Sequence, residues 1–381
     1  MGRGTPCRYP CSSPMRSFTK SMGFVGTRPI LRDLPGKPVM RNFSRLIILL
    51  VVILTLAESQ CHSATENWQN ERSTLKLVRE INVGSGPISA YHIDLQSSLI
   101  FAGTLDGRIR IVSPAGAVLN EHQVTSGSIE QLLYSHNEQT LVILGLPPPI
   151  QLWHITKQEK IGTLVGPFGH YETMALSPDG RVVAALAARA GGGQILIWDV
   201  AGQKLQRTID DVKLAGRLVF TPDGKKIVGA GNGMIVYDVA TGALLANKVV
   251  TAKGIGLHAL SNDGRWLAVK TVVKVTENGE SEVWIYEIAS WRRVAVLKNV
   301  ASSINSLSFS PNNSWLAAGS GYIGGYGGHY GRLYLWRTSN WVRQFDDVTH
   351  FEAILSVRFS SDSKTLISAD SNGLVKYWQI K

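Results

Sequence analysis

The chain has 381 residues, of which 44% are hydrophobic and 18% are charged, and its formal net charge is +11 at pH 7. This composition excludes a disordered chain, and the length allows one large domain or two to three ordinary ones. Residues 1–57 hold nine of the 39 basic residues but only one of the 28 acidic residues, so the remaining chain is almost neutral. A nearly neutral body gives no reason to expect a nucleic-acid partner, and we predict none.

Residues 40–57 have the composition of a secretory signal peptide. A short basic stretch, Met40 to Arg45, precedes a mostly apolar run of twelve residues, Leu46 to Ala57, which is too short to cross a bilayer comfortably. We therefore predict an exported chain, periplasmic or secreted, in which residues 1–39 are a misassigned extension and residues 58–73 a polar linker. If the leader is not cleaved, the protein would be membrane-anchored or lie at the cytoplasmic face, and the leader would be its only membrane contact.

The cysteines all precede the predicted folded region; they are Cys7, Cys11 and Cys61. The residues after position 73 can therefore form no disulfide and no cysteine-based metal site. The histidines in the chain show no metal-binding spacing, and we predict no metal and no cofactor.

From residue 74 onwards the sequence repeats. Each repeat contains an alternating apolar stretch that ends in an aromatic residue or, once, in valine; ILIWDV at 195–200 is an example. This marker recurs with an average spacing of about 44 residues, a period typical of repeat architectures. The seven markers are Val112, Trp153, Trp198, Tyr237, Tyr286, Trp336 and Trp378.

A turn sequence precedes the markers in the same phase, and SPDG at 177–180 is the clearest copy. Proline fixes one φ angle and glycine permits a positive one, so this sequence favours a tight turn. Apolar residues alternate with a period of two on both sides of the turns, which indicates strands rather than helices. Each repeat is therefore predicted to form four short antiparallel strands.

These features resemble the WD40-repeat family, which repeats every 40–45 residues and is marked by a Trp-Asp dipeptide. The resemblance covers residues 74–381, and WDV at 198–200 matches the family outright. It implies an all-β fold, a seven-bladed β-propeller of four-stranded antiparallel blades. It also implies a structural hydrogen-bonded tetrad in the last blade, with asparagine where the family has aspartate: His350, Ser368, Asn372 and Trp378.

The two ends of the repeat region are complementary. Only three residues follow Trp378, so the last repeat lacks a fourth strand, whereas the strand-like sequence TLKLVREI at 74–81 precedes the first repeat. We predict that this N-terminal strand completes the last blade and closes the ring. Closure would leave no sheet edge open to aggregation.

The sequence GSGYIG at 319–324 matches a dinucleotide-binding fingerprint, but that function requires a helix after the loop, and Arg332 to Trp336 alternates as a strand. We interpret residues 319–331 as an enlarged hairpin loop, like those at 187–194 and 270–282. In the resembling family such hairpins surround the channel mouth, where partners usually bind. Aromatic rings with polar groups are favoured at recognition surfaces, so the candidate partner-binding residues are Tyr322, Tyr326, His329 and Tyr330. A flexible insertion without a role is the alternative.

The sequence contains no recognised catalytic motif, and no serine lies in a G-x-S-x-G sequence. Two pairs of adjacent acids, Asp210-Asp211 and Asp346-Asp347, are more typical of solvated turns than of cation sites. We therefore predict a monomeric, non-catalytic interaction scaffold that binds another protein through the face with the enlarged hairpins. The alternatives are an exported propeller enzyme, lactonase- or quinoprotein-like, with a site at the channel mouth, and a stand-alone structural protein of the cell envelope.

Overall fold

The structure is a computed structural model. It describes residues 74–84, 86–167, 170–189, 192–212, 214–231, 233–249, 257–274, 280–301, 303–321 and 330–381. The described residues form seven antiparallel sheets of four strands each. None of them belongs to a helix that is long and apolar enough to span a membrane.

Each sheet is one blade, and six of the blades are built from four successive strands. Blade 1 comprises β2 (Ile88–Ile93), β3 (Ile100–Thr104), β4 (Arg108–Val112) and β5 (Val118–Gln123). Blade 2 comprises β6 (Ile129–Ser135), β7 (Thr140–Gly145), β8 (Ile150–His154) and β9 (Glu159–Leu164). Blade 3 comprises β10 (Thr173–Leu176), β11 (Val182–Arg189), β12 (Gly192–Asp199) and β13 (Lys204–Val212).

The chain continues around the ring in the same way. Blade 4 comprises β14 (Leu214–Phe220), β15 (Lys226–Gly231), β16 (Gly233–Asp238) and β17 (Leu244–Val249). Blade 5 comprises β18 (His258–Leu260), β19 (Trp266–Lys274), β20 (Glu280–Glu287) and β21 (Arg292–Ala301). Blade 6 comprises β22 (Ile304–Phe309), β23 (Trp315–Ser320), β24 (Gly331–Arg337) and β25 (Val342–His350). Blade 7 comprises β26 (Ile354–Phe359), β27 (Thr365–Asp370), β28 (Leu374–Ile380) and β1 (Leu75–Asn82).

The first strands of the seven blades contact one another in a closed ring, including β26 with β2. They surround a central channel. Because successive strands alternate in direction, the turns between second and third strands and the connections between blades lie on one face, which we call the top face. The other turns lie on the bottom face. The prediction of a seven-bladed, four-stranded propeller is confirmed.

The N-terminal strand closes the ring as predicted. β1 pairs antiparallel with β28, from Leu75 opposite Ile380 to Asn82 opposite Leu374. Leu75 is buried in an apolar cluster formed by residues of blades 6 and 7. The last blade thus gains its fourth strand from the start of the repeat region.

The turns on the bottom face use their polar side chains as the sequence suggested. In the SPDG turn the Ser177 hydroxyl donates to the Asp179 carboxylate at 2.5 Å and accepts from the backbone N–H of Val182 at 2.9 Å. Gly180 supplies the positive φ angle, +75°. These bonds fix the turn and start the second strand in register.

Large apolar side chains fill the spaces between blades, with Trp198 and Trp336 among the fully buried ones. Small residues on the second strands let the next blade approach closely. A Cβ atom on Gly103 would lie 2.6 Å from Cγ2 of Ile129 in blade 2. One on Gly319 would lie 2.4 Å from Cγ2 of Ile354 in blade 7. Gly319 therefore has a packing role. It lies in β23 rather than before a helix, so the sequence GSGYIG lacks the helix that dinucleotide binding requires.

Two of the three predicted hairpin loops are mostly strand, which corrects the sequence interpretation. β11 and β12 remain paired as far as Arg189 opposite Gly192, and β19 and β20 as far as Lys274 opposite Glu280. Backbone hydrogen bonds do not need large side chains, so even Gly192 and Gly193 join the ladder. The third predicted loop differs, because β23 ends at Ser320 and β24 begins at Gly331.

Candidate functional site

A repeated β-bulge places side chains of the first strands in the channel mouth on the top face. In four blades the pairing of the first and second strands shifts directly after an isoleucine. A bulge re-aims the side chain of the extra residue. The residues that follow these isoleucines all line one cavity of about 390 Å³; they are Ser89, Glu130, Asn305 and Leu355.

Three basic side chains line the same cavity: Arg217, Lys270 and Arg358. Arg217 lies in a longer irregularity of blade 4, between Leu214 and Leu218, where β14 and β15 lose their regular pairing. Lys270 lies one residue beyond the last β18–β19 pair. The three cations therefore come from blades 4, 5 and 7 and meet only because the ring closes.

The hydrogen-bond partners of these cations are backbone carbonyl groups. Arg217 Nη2 lies 3.5 Å from the Asn305 oxygen, Lys270 Nζ lies 3.4 Å from the Ile304 oxygen, and Arg358 Nη1 lies 3.0 Å from the Val357 oxygen. Among the described residues, no carboxylate forms an ion pair with any of the three. The mouth therefore carries positive charge that the described residues leave unneutralised.

Burial and like charge disfavour the protonated forms of these groups. Burial lowers the pKa of Lys270. It also lowers the pKa of Arg217. This residue is exposed to solvent, but the solvent it meets is inside the channel, where the surrounding wall limits hydration. Burial, together with the positive charge of Arg217, lowers the pKa of Arg358 to about 10. With a pKa of about 10, Arg358 is protonated at neutral pH.

Both ends of the glycine loop are held against the connection between blades 6 and 7. A Cβ atom on Gly321 would lie 2.4 Å from Cα of Ala353, and one on Gly331 would lie 2.4 Å from the Glu352 oxygen. The Asn305 side-chain amide donates to the Gly321 oxygen at 2.8 Å and to the Ile354 oxygen at 3.2 Å. Glycine is required at both ends because any side chain would push the connection away.

An exposed aromatic pair lies at this position on the top face. Tyr330 is 57% exposed and Phe351, directly after β25, is 82% exposed; their ring centroids are 6.5 Å apart. Tyr330 was a candidate from the sequence, whereas Tyr322, Tyr326 and His329 lie outside the described residues. Phe351 was missed, although a large apolar residue in a connection between blades is a usable signal. Three further exposed apolar residues lie on the same face: Leu105, Leu146 and Val165.

The predicted tetrad in blade 7 needs one correction. Ser368 Oγ lies 2.8 Å from Nε2 of His350 and accepts from Nε1 of Trp378 at 2.8 Å. Nδ1 of His350 lies 3.0 Å from the Asp370 carboxylate, and Asn372 is exposed. The acidic partner of His350 is therefore Asp370, two residues before the predicted position, and the role predicted for Asn372 is wrong. One assignment of protons satisfies every hydrogen bond in this network, and in it Nδ1–H of His350 donates to Asp370.

The two pairs of adjacent acids also differ from the prediction, because they lie in the fourth strands β13 and β25 rather than in turns. Asp346 accepts hydrogen bonds from Arg332 and Arg343, so its charge is neutralised by side chains. The Asp210 carboxylate accepts from the Gln194 amide. Within the described ranges, no three His, Cys, Asp or Glu residues are grouped as a metal site would require.

Comparisons with known proteins agree with this geometry. The family model for the WD domain, G-beta repeat, matches residues 291–336 and 342–379, each of which runs from the fourth strand of one blade to the third strand of the next. An uncharacterized WD repeat-containing protein of Synechocystis sp. is 24% identical over 251 residues, which are 65% of this chain and 70% of that protein.

Two yeast proteins are similar over shorter regions. Protein SOF1 of Saccharomyces cerevisiae is 24% identical over 200 residues, 50% of this chain and 37% of that protein. Eukaryotic translation initiation factor 3 subunit I of Candida albicans is 27% identical over 103 residues, 26% of this chain and 28% of that protein. The matched regions thus span well under two thirds of both yeast proteins. Residues 291–336 and 342–379 thus match WD40 repeats, and the seven closed, four-stranded blades form a β-propeller of the kind that such repeats build.

Proposed function

We propose that the chain is a non-catalytic scaffold that binds a partner protein through its top face. WD40 propellers typically bind other proteins. One similar protein is, by its name, a subunit of a larger factor. The observation that carries the choice of face is the exposed pair Tyr330 and Phe351, beside a glycine loop whose two ends are fixed.

The arrangement suits protein recognition for a physical reason. Phe351 is largely exposed, but its neighbour His350 is buried and hydrogen-bonded, so the backbone that presents the ring is fixed. A rigid aromatic anchor loses little conformational entropy on binding and buries a large apolar area. Such anchors contribute about 2 kcal/mol or more to many interfaces.

Other parts of the proposal rest on the sequence. We propose that the protein is a monomer and that residues 40–57 direct its export, to the periplasm or out of the cell. The enzyme hypothesis required acidic or histidine side chains from several blades to face the channel. The charged residues in the described lining of the mouth are three basic ones and a single carboxylate, Glu130, and no observation there favours that hypothesis.

Affinity capture from the native host with matched variants tests the binding face. The full chain is compared with the double variant Tyr330→Ser/Phe351→Ser and with Val118→Ser/Leu119→Ser. The second variant removes two exposed apolar side chains from β5, outside the top face. We expect the wild type and the β5 variant to recover the same partner and the top-face variant to lose it. Retention of that partner by the top-face variant, or its equal loss from both variants, would contradict the proposed face.

A further inference from the structure

The channel mouth holds basic side chains that form no ion pair with a described carboxylate. Arg217 and Lys270 reach from neighbouring blades toward consecutive carbonyl groups, those of Asn305 and Ile304. Arg358 approaches from blade 7, close enough for the charge of Arg217 to act on it. Distances of 3.4 and 3.5 Å to neutral oxygens compensate a full charge only weakly.

Bringing like charges together in an enclosed mouth costs free energy, because they repel each other and lose hydration. A carboxylate of the protein itself could remove this cost. Glu130 is the carboxylate among the described lining residues, but it forms no ion pair with the three cations. It accepts a hydrogen bond from Ser128 instead. The irregular pairing that places Arg217 in the mouth is specific to blade 4 among the described strand pairs. The local backbone thus departs from regular pairing in a way that adds a cation to the cavity.

The cavity also has the size and lining of a ligand site. Its volume of about 390 Å³ falls within the usual range for small-molecule pockets. Leu133, Leu257 and Leu355 supply apolar wall next to the cations. An anion with a carbon skeleton fits such a wall, since its apolar part contacts the leucines while its charged oxygens reach the guanidinium and ammonium groups.

We propose that the mouth of the channel is a binding site for carboxylates, held by Arg217, Lys270 and Arg358. The carboxylates belong either to acidic side chains of a protein or to a free organic acid with two or more carboxyl groups. Planar guanidinium groups bind carboxylates with two parallel hydrogen bonds, and the low-dielectric wall strengthens the attraction. The site itself does not depend on the proposed scaffold function; only the protein source does.

Isothermal titration calorimetry on the full chain tests the site with three probes at constant ionic strength: acetyl-Glu-Glu-Glu-amide, citrate and inorganic phosphate. We expect at least one carboxylate probe to bind the wild type. Loss of one charged partner in Arg217→Gln or Lys270→Gln should raise its dissociation constant about tenfold or more. Arg292→Gln, which removes an exposed arginine on the outer strand β21, is the matched control and should leave the constant unchanged.

Tighter binding of the peptide identifies protein side chains as the source, and tighter binding of citrate identifies a free acid. Binding of phosphate alone, binding of no probe, or an equal effect of all three substitutions would overturn the proposal. Thermal unfolding without added anion gives a second readout. Arg217→Gln should be at least as stable as the wild type, because it relieves repulsion from Arg358. A clear loss of stability would mean that Arg217 has a structural role instead.

Discussion

The buried carboxylate of Asp370 joins the last strand of blade 6 to a turn of blade 7. It contacts His350, the last residue of β25, and it accepts hydrogen bonds from the backbone N–H groups of Asn372 at 3.0 Å and Leu374 at 2.9 Å after β27. The backbone oxygen of Asp370 accepts from the Tyr91 hydroxyl of blade 1 at 2.8 Å. One residue thus fixes a turn, a connection between blades and a contact with the next blade.

We therefore expect Asp370→Ala to destabilise the protein far more than Asn372→Ala. The first change leaves Nδ1 of His350 and two backbone N–H groups without a partner, which should cost about 2–4 kcal/mol. The second truncates an exposed side chain and should change stability by about 0.5 kcal/mol or less. Urea unfolding of both variants measures the difference. Equal losses would show that Asn372 has the structural role that the family pattern assigns to its position.

The correction at Asn372 shows where sequence reasoning ends. The repeat pattern located the turn, the histidine and the tryptophan, because their spacing follows from strand and turn lengths. It could not tell whether the side chain at 370 or that at 372 turns toward His350. That choice depends on backbone direction within the turn and on the buried space around His350, neither of which a spacing encodes.

Stability should fall in mild acid because of buried histidines. His258 is 6% exposed, and burial, together with the charge of Arg217, lowers its pKa to about 4. In the unfolded chain its pKa returns to about 6.5, so the unfolded state binds more protons between these values. The free energy of unfolding is therefore not reduced by His258 above about pH 6.5, and it decreases as the pH falls toward 4. At pH 5 the loss from His258 amounts to about 2 kcal/mol.

The variant His258→Gln isolates this contribution. Thermal unfolding at pH 7.5 and pH 5.0 should show a smaller drop for His258→Gln than for the wild type, with part of the drop kept because burial also lowers the pKa of His92 to about 4. His170→Gln alters an exposed histidine and should retain the full drop. If His258→Gln loses as much stability as the wild type, His258 is not kept neutral in the fold.

At the scale of strands and loops, the connection from blade 6 to blade 7 is the element that carries the aromatic pair. Gly331 begins β24 against this connection, and a Cβ atom there would meet the Glu352 oxygen at 2.4 Å and Cγ1 of Ile354 at 2.7 Å. Neither atom can move without moving the backbone or a buried side chain. The position of Phe351 is therefore coupled to the absence of a side chain at 331.

Gly331→Ala should consequently cost about 1–3 kcal/mol and weaken capture of the partner. Gly202→Ala is a suitable comparison, because its Cβ would meet mainly the Asp199 carboxylate, at 2.6 Å, and this side chain can rotate away. Urea unfolding gives the stabilities, and affinity capture with the two baits gives the binding. A Gly331→Ala protein that is as stable as Gly202→Ala would show that the connection adapts freely.

The strands themselves were largely predictable, whereas the lengths of two hairpins were not. Alternating apolar residues and the turn sequences depend on local geometry, so they identified the repeats and the third strands correctly. Glycine-rich AARAGGG at 187–193 was interpreted as loop because glycine packs no side chain. In the structure Gly192 and Gly193 pair in β12, since the ladder needs only backbone groups.

At the scale of the whole molecule, the candidate anion site depends on ring closure. Arg217, Lys270 and Arg358 lie in ordinary strand sequences, with no motif and with more than 50 positions between each pair. They line one cavity because the first strands form a closed ring and because local irregularities turn one of them inward. The sequence predicted the ring but not the backbone irregularities, which is why it gave no indication of these residues.

Closure by β1 makes the stability of the ring depend on a short N-terminal strand. Leu75 is 1% exposed and lies in the same apolar cluster as Trp315 of blade 6 and Trp378 of blade 7. Leu75→Ala should cost about 2–5 kcal/mol through the cavity that it leaves. Val78→Ala, in the same strand, truncates a side chain that is about half exposed and should cost about 0.5 kcal/mol.

Urea unfolding, followed by tryptophan fluorescence, compares the two variants. A large loss for Leu75→Ala with a small loss for Val78→Ala would show that β1 is a working part of the ring in solution, because only a docked strand distinguishes its buried from its exposed side. Equally small losses would mean that β1 is not docked on β28. Blade 7 would then keep an open edge at β28, and the seven blades would have to hold their ring without this closing strand.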